Sequence, residues 1–230
     1  MIPGIAVEIG REAVVVSSDT RLRVLSSAVC GGGLGEARAI VNLHVVKNDP
    51  CADPDAAVAR FAERSGVPAP RVGLLTSAWT EHAAVGEAHA HGIRALAVIT
   101  VGLGNPVAAG VDPVAVWAPS TINAVIVVDA DPDPAALVNA VITATEVKVL
   151  ALERAGVRGA GGGMVSGTST DAVVIAATGR GRRARFGGPA SELGWTIAAA
   201  ARSAFEAGIR EWLRRKLAAR PHVPGDARRP

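Results

Sequence analysis

Short apolar runs separated by polar breaks fill the first third of this chain. Ile5–Ile9, 13–16 and 22–25 are rich in Val, Ile and Leu and are divided by charged or hydroxyl-bearing residues. That pattern predicts a meander of short strands. A glycine cluster, Gly31-Gly32-Gly33-Leu34-Gly35, precedes a longer strand over 39–46, on which Asn42 and His44 share a face because side chains two apart point the same way. Asp53-Pro54 has the form of a helix start, with Asp as cap and Pro at the first helical position, and predicts a helix to Arg64. Strands follow at 72–76 and 95–101, with a helix expected over 80–91 between them. Ile122–Asp129 is almost wholly β-branched and reads as a strand. Asp133-Pro134 repeats the helix-start signal for 135–154, with Leu137, Val141, Thr145 and Leu152 as its apolar stripe and Asn139, Thr143 and Glu146 opposite. A glycine-rich loop over 159–167 leads into the strand Ala172–Ala177. The chain then forms a long helix over 191–219, with Leu193, Ile197, Ala201, Ala204 and Trp212 buried. Strands first and mixed elements later favour a layered α+β domain over a doubly wound one.

Composition sharpens this picture in two respects. Of 230 residues 49% are hydrophobic but only 3% aromatic, with no Tyr, so the core must rely on close backbone packing of Ala and Val. No uncharged apolar run reaches the roughly 18 residues that span a bilayer, and residues 1–11 carry Glu8 and lack a charged leader segment, so neither a membrane span nor a signal peptide is expected. Cys30 and Cys51 show no paired spacing and read as free thiols, which places the expected compartment in the cytoplasm. Charge is unevenly spread. Seven basic and two acidic residues lie between Arg210 and Pro230, leaving 17 basic and 19 acidic residues elsewhere. A folded body without a basic face is not expected to bind nucleic acid. The reading is one domain over 1–219 and a basic, disordered tail over 220–230.

Three polar clusters stand where apolar strands end: Ser26-Ser27 with Gly31 to Gly33 and Asn42; Pro119-Ser120-Thr121-Ile122-Asn123; and Thr143 to Lys148 together with Gly163-Met164-Val165-Ser166-Gly167-Thr168-Ser169-Thr170-Asp171. Hydroxyls, amides, an acid and an amine recurring beside glycine loops suit acyl chemistry, in which a hydroxyl attacks a carbonyl and backbone N–H groups hold the oxyanion. Taken alone, the clusters do not establish a function: glycine runs more often form tight turns than anion cradles, Glu146 with Lys148 on an exposed helix is ordinarily solvated charge, and Ser166–Thr170 reads equally as a polar loop. Neither glycine run has the spacing of a dinucleotide or P-loop motif. Glu87, His89 and His91 lack a fourth partner at metal-binding spacing and read as surface residues.

In their order, these clusters resemble the adenosylcobinamide amidohydrolase (CbiZ) family, from Leu25-Ser26-Ser27-Ala28, Gly32 and Asn42 through Thr121-Ile122-Asn123 and Thr143-Ala144-Thr145-Glu146 with Lys148 to the Ser166–Asp171 loop, covering about residues 22–208. The resemblance implies hydrolysis of the amide joining the corrin propionate to aminopropanol, with the corrinoid as substrate and no further cofactor or metal. One departure is visible: relatives carry Gly-Thr-His near the last helix, where this chain reads Gly188-Pro189-Ala190-Ser191. The second half also resembles the DmpA-type aminopeptidases, whose αββα sandwich of mixed, largely antiparallel sheets frees a Ser or Thr nucleophile by self-cleavage.

The resulting expectation assigns Thr121, Glu146, Lys148 and Asp171 to catalysis: Thr121 (or a water it positions) attacks, Glu146 shuttles protons, Lys148 and Asp171 orient it. Asn123 and the glycine-loop amides hold the oxyanion. Ser27, Gly32, Asn42, Asn123, Thr145, Ser166, Gly167, Thr168 and Thr170 are expected at the substrate. Rival classes are a corrinoid carrier without turnover and an anion- or nucleotide-binding module. A homo-oligomer is left open.

Overall fold

The computed structural model describes residues 1–46, 51–114 and 120–219. In chain order these form β1 (Ile5–Ile9), β2 (Ala13–Ser26), β3 (Gly33–His44), α1 (Pro54–Arg64), β4 (Arg71–Thr76), a 3-10 turn (Thr80–His82), β5 (Ala84–Ala90), β6 (Ile93–Val101) and the two-residue β7 (Pro106–Val107). Then come β8 (Ile122–Asp129), β9 (Asp131–Pro132), α2 (Pro134–Arg154), β10 (Gly167–Thr168), β11 (Ala172–Ala177), β12 (Arg183–Ala184) and α3 (Glu192–Ala218). The expected tail, 220–230, lies outside the described residues.

The main sheet has the order β4-β3-β2-β11-β8-β6-β5, with β1 beside β2. Pairing is mixed: β3 with β4 and β8 with β11 run parallel, and the remaining ladders of this sheet are antiparallel. The sheet bends back on itself through β2. The first half of that strand pairs with β1, its last residues pair with β11, and its register against β3 shifts between Ser17 and Leu22. Burial makes the folding-over explicit. Val14, Val16, Ile40 and Leu74 from one half share a single core with Leu96, Val98, Val125 and Val127 from the other. On the outer face of the first half, Ala13, Val15, Val41 and Leu43 pack against Val58 and Phe61 of α1. On the outer face of the second half, Ala97, Ile99, Ala124 and Ile126 pack against α2 and α3. The layers are therefore α1, half-sheet, half-sheet, α2 with α3, which is the expected layered sandwich. Each strand supplies both neighbouring layers because alternate side chains face opposite ways.

Three local expectations need correction. Residues 13–26 form one strand, because pairing with β3 on both sides of the bulge overrides the polar stretch Ser17 to Arg21. Residues 80–91 hold a turn and β5 where a helix was expected. In α2 the buried residues are Ala136, Leu137, Ala140, Thr143, Ala144, Lys148, Ala151 and Leu152, so the expected Leu137 and Leu152 are in the core, while Thr143 and Lys148 point inward and Thr145 outward. Asp53 caps α1 by accepting the Ala56 N–H at 2.9 Å, as expected. Asp133 does not cap α2, because its carboxylate is engaged by the Arg183 guanidinium at 3.0 and 3.2 Å. By length and composition α2 is apolar enough to cross a bilayer, yet its buried residues pack on the sheet and α3, as a core helix does.

Candidate functional site

The parallel pair β8–β11 places Asn123 opposite Ala172, so the residues just before both strands, Ser120-Thr121 and Thr170-Asp171, meet at one end of the sandwich. Asp171 organises this end. Its Oδ1 accepts the Ile122 N–H at 3.0 Å and the Thr168 hydroxyl. Its Oδ2 accepts the Thr168 N–H at 3.1 Å and the Lys148 ammonium at 2.5 Å. Both members of the ion pair are only 10% exposed. Four donors use up the roughly four acceptor positions of a carboxylate, so Asp171 is a tie between α2, the loop 166–171 and the start of β8. Gly167 makes room for it: a Cβ there would stand 2.1 Å from Asp171 Oδ2 and 2.6 Å from Lys148 Nζ.

Above this tie lies a cavity of about 390 Å³ walled by Ser27, Thr76, Ser77, Ser120, Thr121, Asn123 and Thr170, with Val29, Val45, Cys51, Pro54, Leu74, Leu75 and Ala172. Thr121 is 4% exposed. Its hydroxyl donates to the Thr170 carbonyl at 2.8 Å, leaving its lone pairs free. Asn123 is bound differently from what an oxyanion donor requires. Its amide donates one N–H to Asn42 Oδ1 at 2.8 Å and the other to the Leu75 carbonyl at 2.9 Å. Asn42 in turn donates to Thr100 at 2.9 Å. This buried chain bridges the two half-sheets, and with both its hydrogens committed Asn123 has none for a substrate. The Ser120 hydroxyl accepts the Gly104 N–H at 2.6 Å and keeps its own proton for donation. Ser27 accepts the Val173 N–H at 3.0 Å.

The cavity thus gathers Ser27, Thr121, Asn123 and Thr170 of the expected residues, with Asn42 one hydrogen bond behind. Gly32, Ser166, Gly167 and Thr168 do not line it. Ser166 accepts the Ala109 N–H and donates to the Val107 carbonyl, tying its loop to β7, and a Cβ on Gly32 would press on the Ala28 carbonyl. Glu146 and Thr145 project from the exposed side of α2. Thr145 bonds the Val141 carbonyl one turn back. The proton-shuttle role given to Glu146 is therefore withdrawn: two residues past the inward-facing Ala144, it lies on the exposed side of the helix. Thr76, Ser77 and Cys51 were missed, although Leu75-Thr76-Ser77 follows the same rule of hydroxyls at the end of an apolar strand, and Ser120 was named in its cluster without a role. Among the described lining residues there is no acid, imidazole or amine. Among the described residues no three His, Cys, Asp or Glu side chains form a metal-binding group. Glu87 is engaged by the α-amine of Met1 at 2.7 Å, and His91 meets the edge of Trp195.

The two cysteines differ. Burial, reinforced by a hydrogen bond to Asp55, pushes the Cys30 thiol up to about 12. Cys51 is half-buried in the cavity wall.

A family model described as adenosylcobinamide amidohydrolase matches residues 4–217 of the chain. No curated protein matches it. Among solved structures, the PH0078 protein from Pyrococcus horikoshii OT3 is similar at a TM-score of 0.48 and 13% identity, over 90% of this chain and 79% of that one. A beta-aminopeptidase from Burkholderia sp. is similar at 0.47 and 15% identity, over 92% and 84%.

Proposed function

The chain belongs to the adenosylcobinamide amidohydrolase family, an amide hydrolase family, and from that premise we propose that it converts adenosylcobinamide and water to adenosylcobyric acid and 1-amino-2-propanol. The observation that carries the proposal to particular residues is the buried Thr121 hydroxyl, held by the Thr170 carbonyl on the wall of a cavity whose described lining residues carry no charge. A neutral amide side chain enters such a space without the desolvation cost that a charged group would meet.

In this reading Thr121 Oγ1 adds to the amide carbonyl carbon. The Ser120 and Ser77 hydroxyls on the same wall are the donors for the developing oxyanion in this reading, each such donor being worth roughly 10²-fold or more in rate. The C–N bond then breaks, the amine leaves with the threonine proton, and water hydrolyses the ester to return Thr121 and the acid. Lys148 and Asp171 act through the backbone by holding Ile122 and the loop 166–171 in place. The corrinoid is the substrate, and no further cofactor takes part in these steps.

Incubation of the purified protein with adenosylcobinamide, followed by chromatography for adenosylcobyric acid and an amine assay for aminopropanol, tests this directly. Equal amounts of both products are expected. Tight binding without either product would assign the chain to a carrier role instead.

A further inference from the structure

The chain has four Trp in 230 residues and no Tyr, yet Trp79 and Trp212 line the same cavity, together with His44. This second space, about 500 Å³, shares Ser77 and Ser120 with the Thr121 cavity, so the two compartments meet at those hydroxyls. Its wall is built around a ring pair. The Trp79 indole lies on the His44 imidazole at a centroid distance of 5.6 Å and an interplanar angle of 13°. His44 Nδ1 is 3.0 Å from the Ala78 carbonyl. A carbonyl only accepts, so Nδ1 carries the proton and the imidazole is fixed as a backing plate.

Trp79 is nevertheless 61% exposed. One face rests on His44 and the other is bare. Trp212 differs, since the Lys216 ammonium covers its ring at 4.9 Å. A rigid indole with one free face beside a reactive hydroxyl is a stacking surface for a flat unsaturated ring. Size gives the second reason. Cavities of roughly 300–1,000 Å³ hold drug-sized ligands, and a substituted macrocycle exceeds what the 390 Å³ of the Thr121 cavity admits. Only the amide-bearing arm fits there, and the ring system must lie next door.

Resting on the corrinoid-amide reading, we propose that the second cavity seats a flat, conjugated ring of the substrate against the bare face of Trp79, while the amide arm reaches past Ser77 and Ser120 to Thr121. Two rings of one substrate have this chemistry: the adenine of the adenosyl group and the conjugated edge of the corrin.

The test uses the full-length protein and its Trp79→Ala and Trp79→Phe variants. Binding of adenosylcobinamide and of cyanocobinamide is measured by equilibrium dialysis, and KM and kcat are measured with the adenosyl form. Trp79→Ala should weaken binding and raise KM about tenfold, the lower range for loss of a stacked base, with kcat changed less than about twofold. Trp79→Phe should recover most of the affinity. Weakened binding of both corrinoids makes the corrin edge the stacked ring, and weakening of the adenosyl form alone makes it the adenine; either result supports the platform. Unchanged binding of both corrinoids to Trp79→Ala would overturn it, while undiminished turnover left the amidase reading standing. A wild-type protein with Trp79-dependent binding but no turnover would keep the platform and remove the amidase. Absence of both binding and turnover would remove the two together.

Discussion

Asp171 and Glu146 were both expected at the reaction centre, and their surroundings now separate them. Replacing Asp171 by Ala strands the Lys148 ammonium in a site only 10% exposed. Breaking a buried pair on one side costs about 3–5 kcal/mol, so the urea midpoint of Asp171→Ala should fall steeply. Glu146→Gln alters an exposed side chain and should stay within about 0.5 kcal/mol of wild type, with turnover unchanged. A strong loss of turnover in Glu146→Gln at full stability would return that residue to the mechanism. The cysteines give a second residue-scale prediction. Cys30, with its thiol pushed up to about 12 by burial, should resist iodoacetamide at pH 8, whereas Cys51 in the cavity wall should react and be protected by substrate. The ordinary value for such a thiol is 9.0, so below about pH 9 the thiol is neutral in both states and its contribution to stability is fully present and independent of pH. As pH rises from there toward 12 the unfolded chain ionises first, and the stability Cys30 contributes is lost. Urea midpoints of wild type and Cys30→Ala between pH 8 and 11 check this: only the wild type should carry the extra decline due to this thiol.

Helix α3 lies so close to β5 that the strand's inner positions are reduced to Ala84, Gly86 and Ala88. A Cβ on Gly86 would stand 2.2 Å from the Ala200 carbonyl and 2.9 Å from the Ala204 nitrogen. Gly86→Ala should lower stability by roughly 1–3 kcal/mol, the usual cost of overpacking, as read from thermal or urea unfolding. The same closeness explains why β5 was mistaken for a helix. Its period-two pattern is written in small residues, and Ala with Glu favours a helix by intrinsic propensity. By contrast β8 and β11 were read with their observed bounds, because both faces of each are buried and their short apolar runs are centred on Val and Ile. The rotation of α2 escaped the sequence for a related reason. Half of its buried residues are alanine, which gives little apolar contrast, so the stripe drawn through Leu137, Val141, Thr145 and Leu152 placed the two leucines correctly but set Thr143 on the opposite face and left Glu146 in a functional position. Whether a short polar cluster lines a cavity depends on strands brought together across the sheet, as Ser27, Thr76 and Thr121 are, and no local pattern records that.

At the scale of the whole molecule, the cavity poses a problem of proton transfer. Among its described lining residues none is an acid, imidazole or amine, while attack by a neutral threonine hydroxyl needs a base within hydrogen-bond reach. Self-cleavage of the kind that the resemblance to the DmpA-type aminopeptidases implies would supply one. The Thr170 hydroxyl lies 3.5 Å from the Ser120 carbonyl oxygen, to which it donates, and Thr121 Oγ1 belongs to the residue that directly follows that carbonyl. Addition of Oγ1 to it, rupture of the Ser120–Thr121 C–N bond and hydrolysis of the resulting ester by water would leave a Ser120 carboxylate and a free α-amine on Thr121. An α-amine titrates near 8 and would sit beside the hydroxyl it must deprotonate. The fold tolerates the cut, since β11 from the second fragment lies between β2 from the first and β8 from the second, and β6 of the first fragment pairs with β8. We expect denaturing mass spectrometry of active protein to resolve two fragments that divide between Ser120 and Thr121, and Thr121→Ala to remain one inactive chain of 23.3 kDa. Thr121→Ser should still divide, because its hydroxyl occupies the same position. Full activity in an undivided chain would exclude the α-amine and require a base from outside the cavity wall described here.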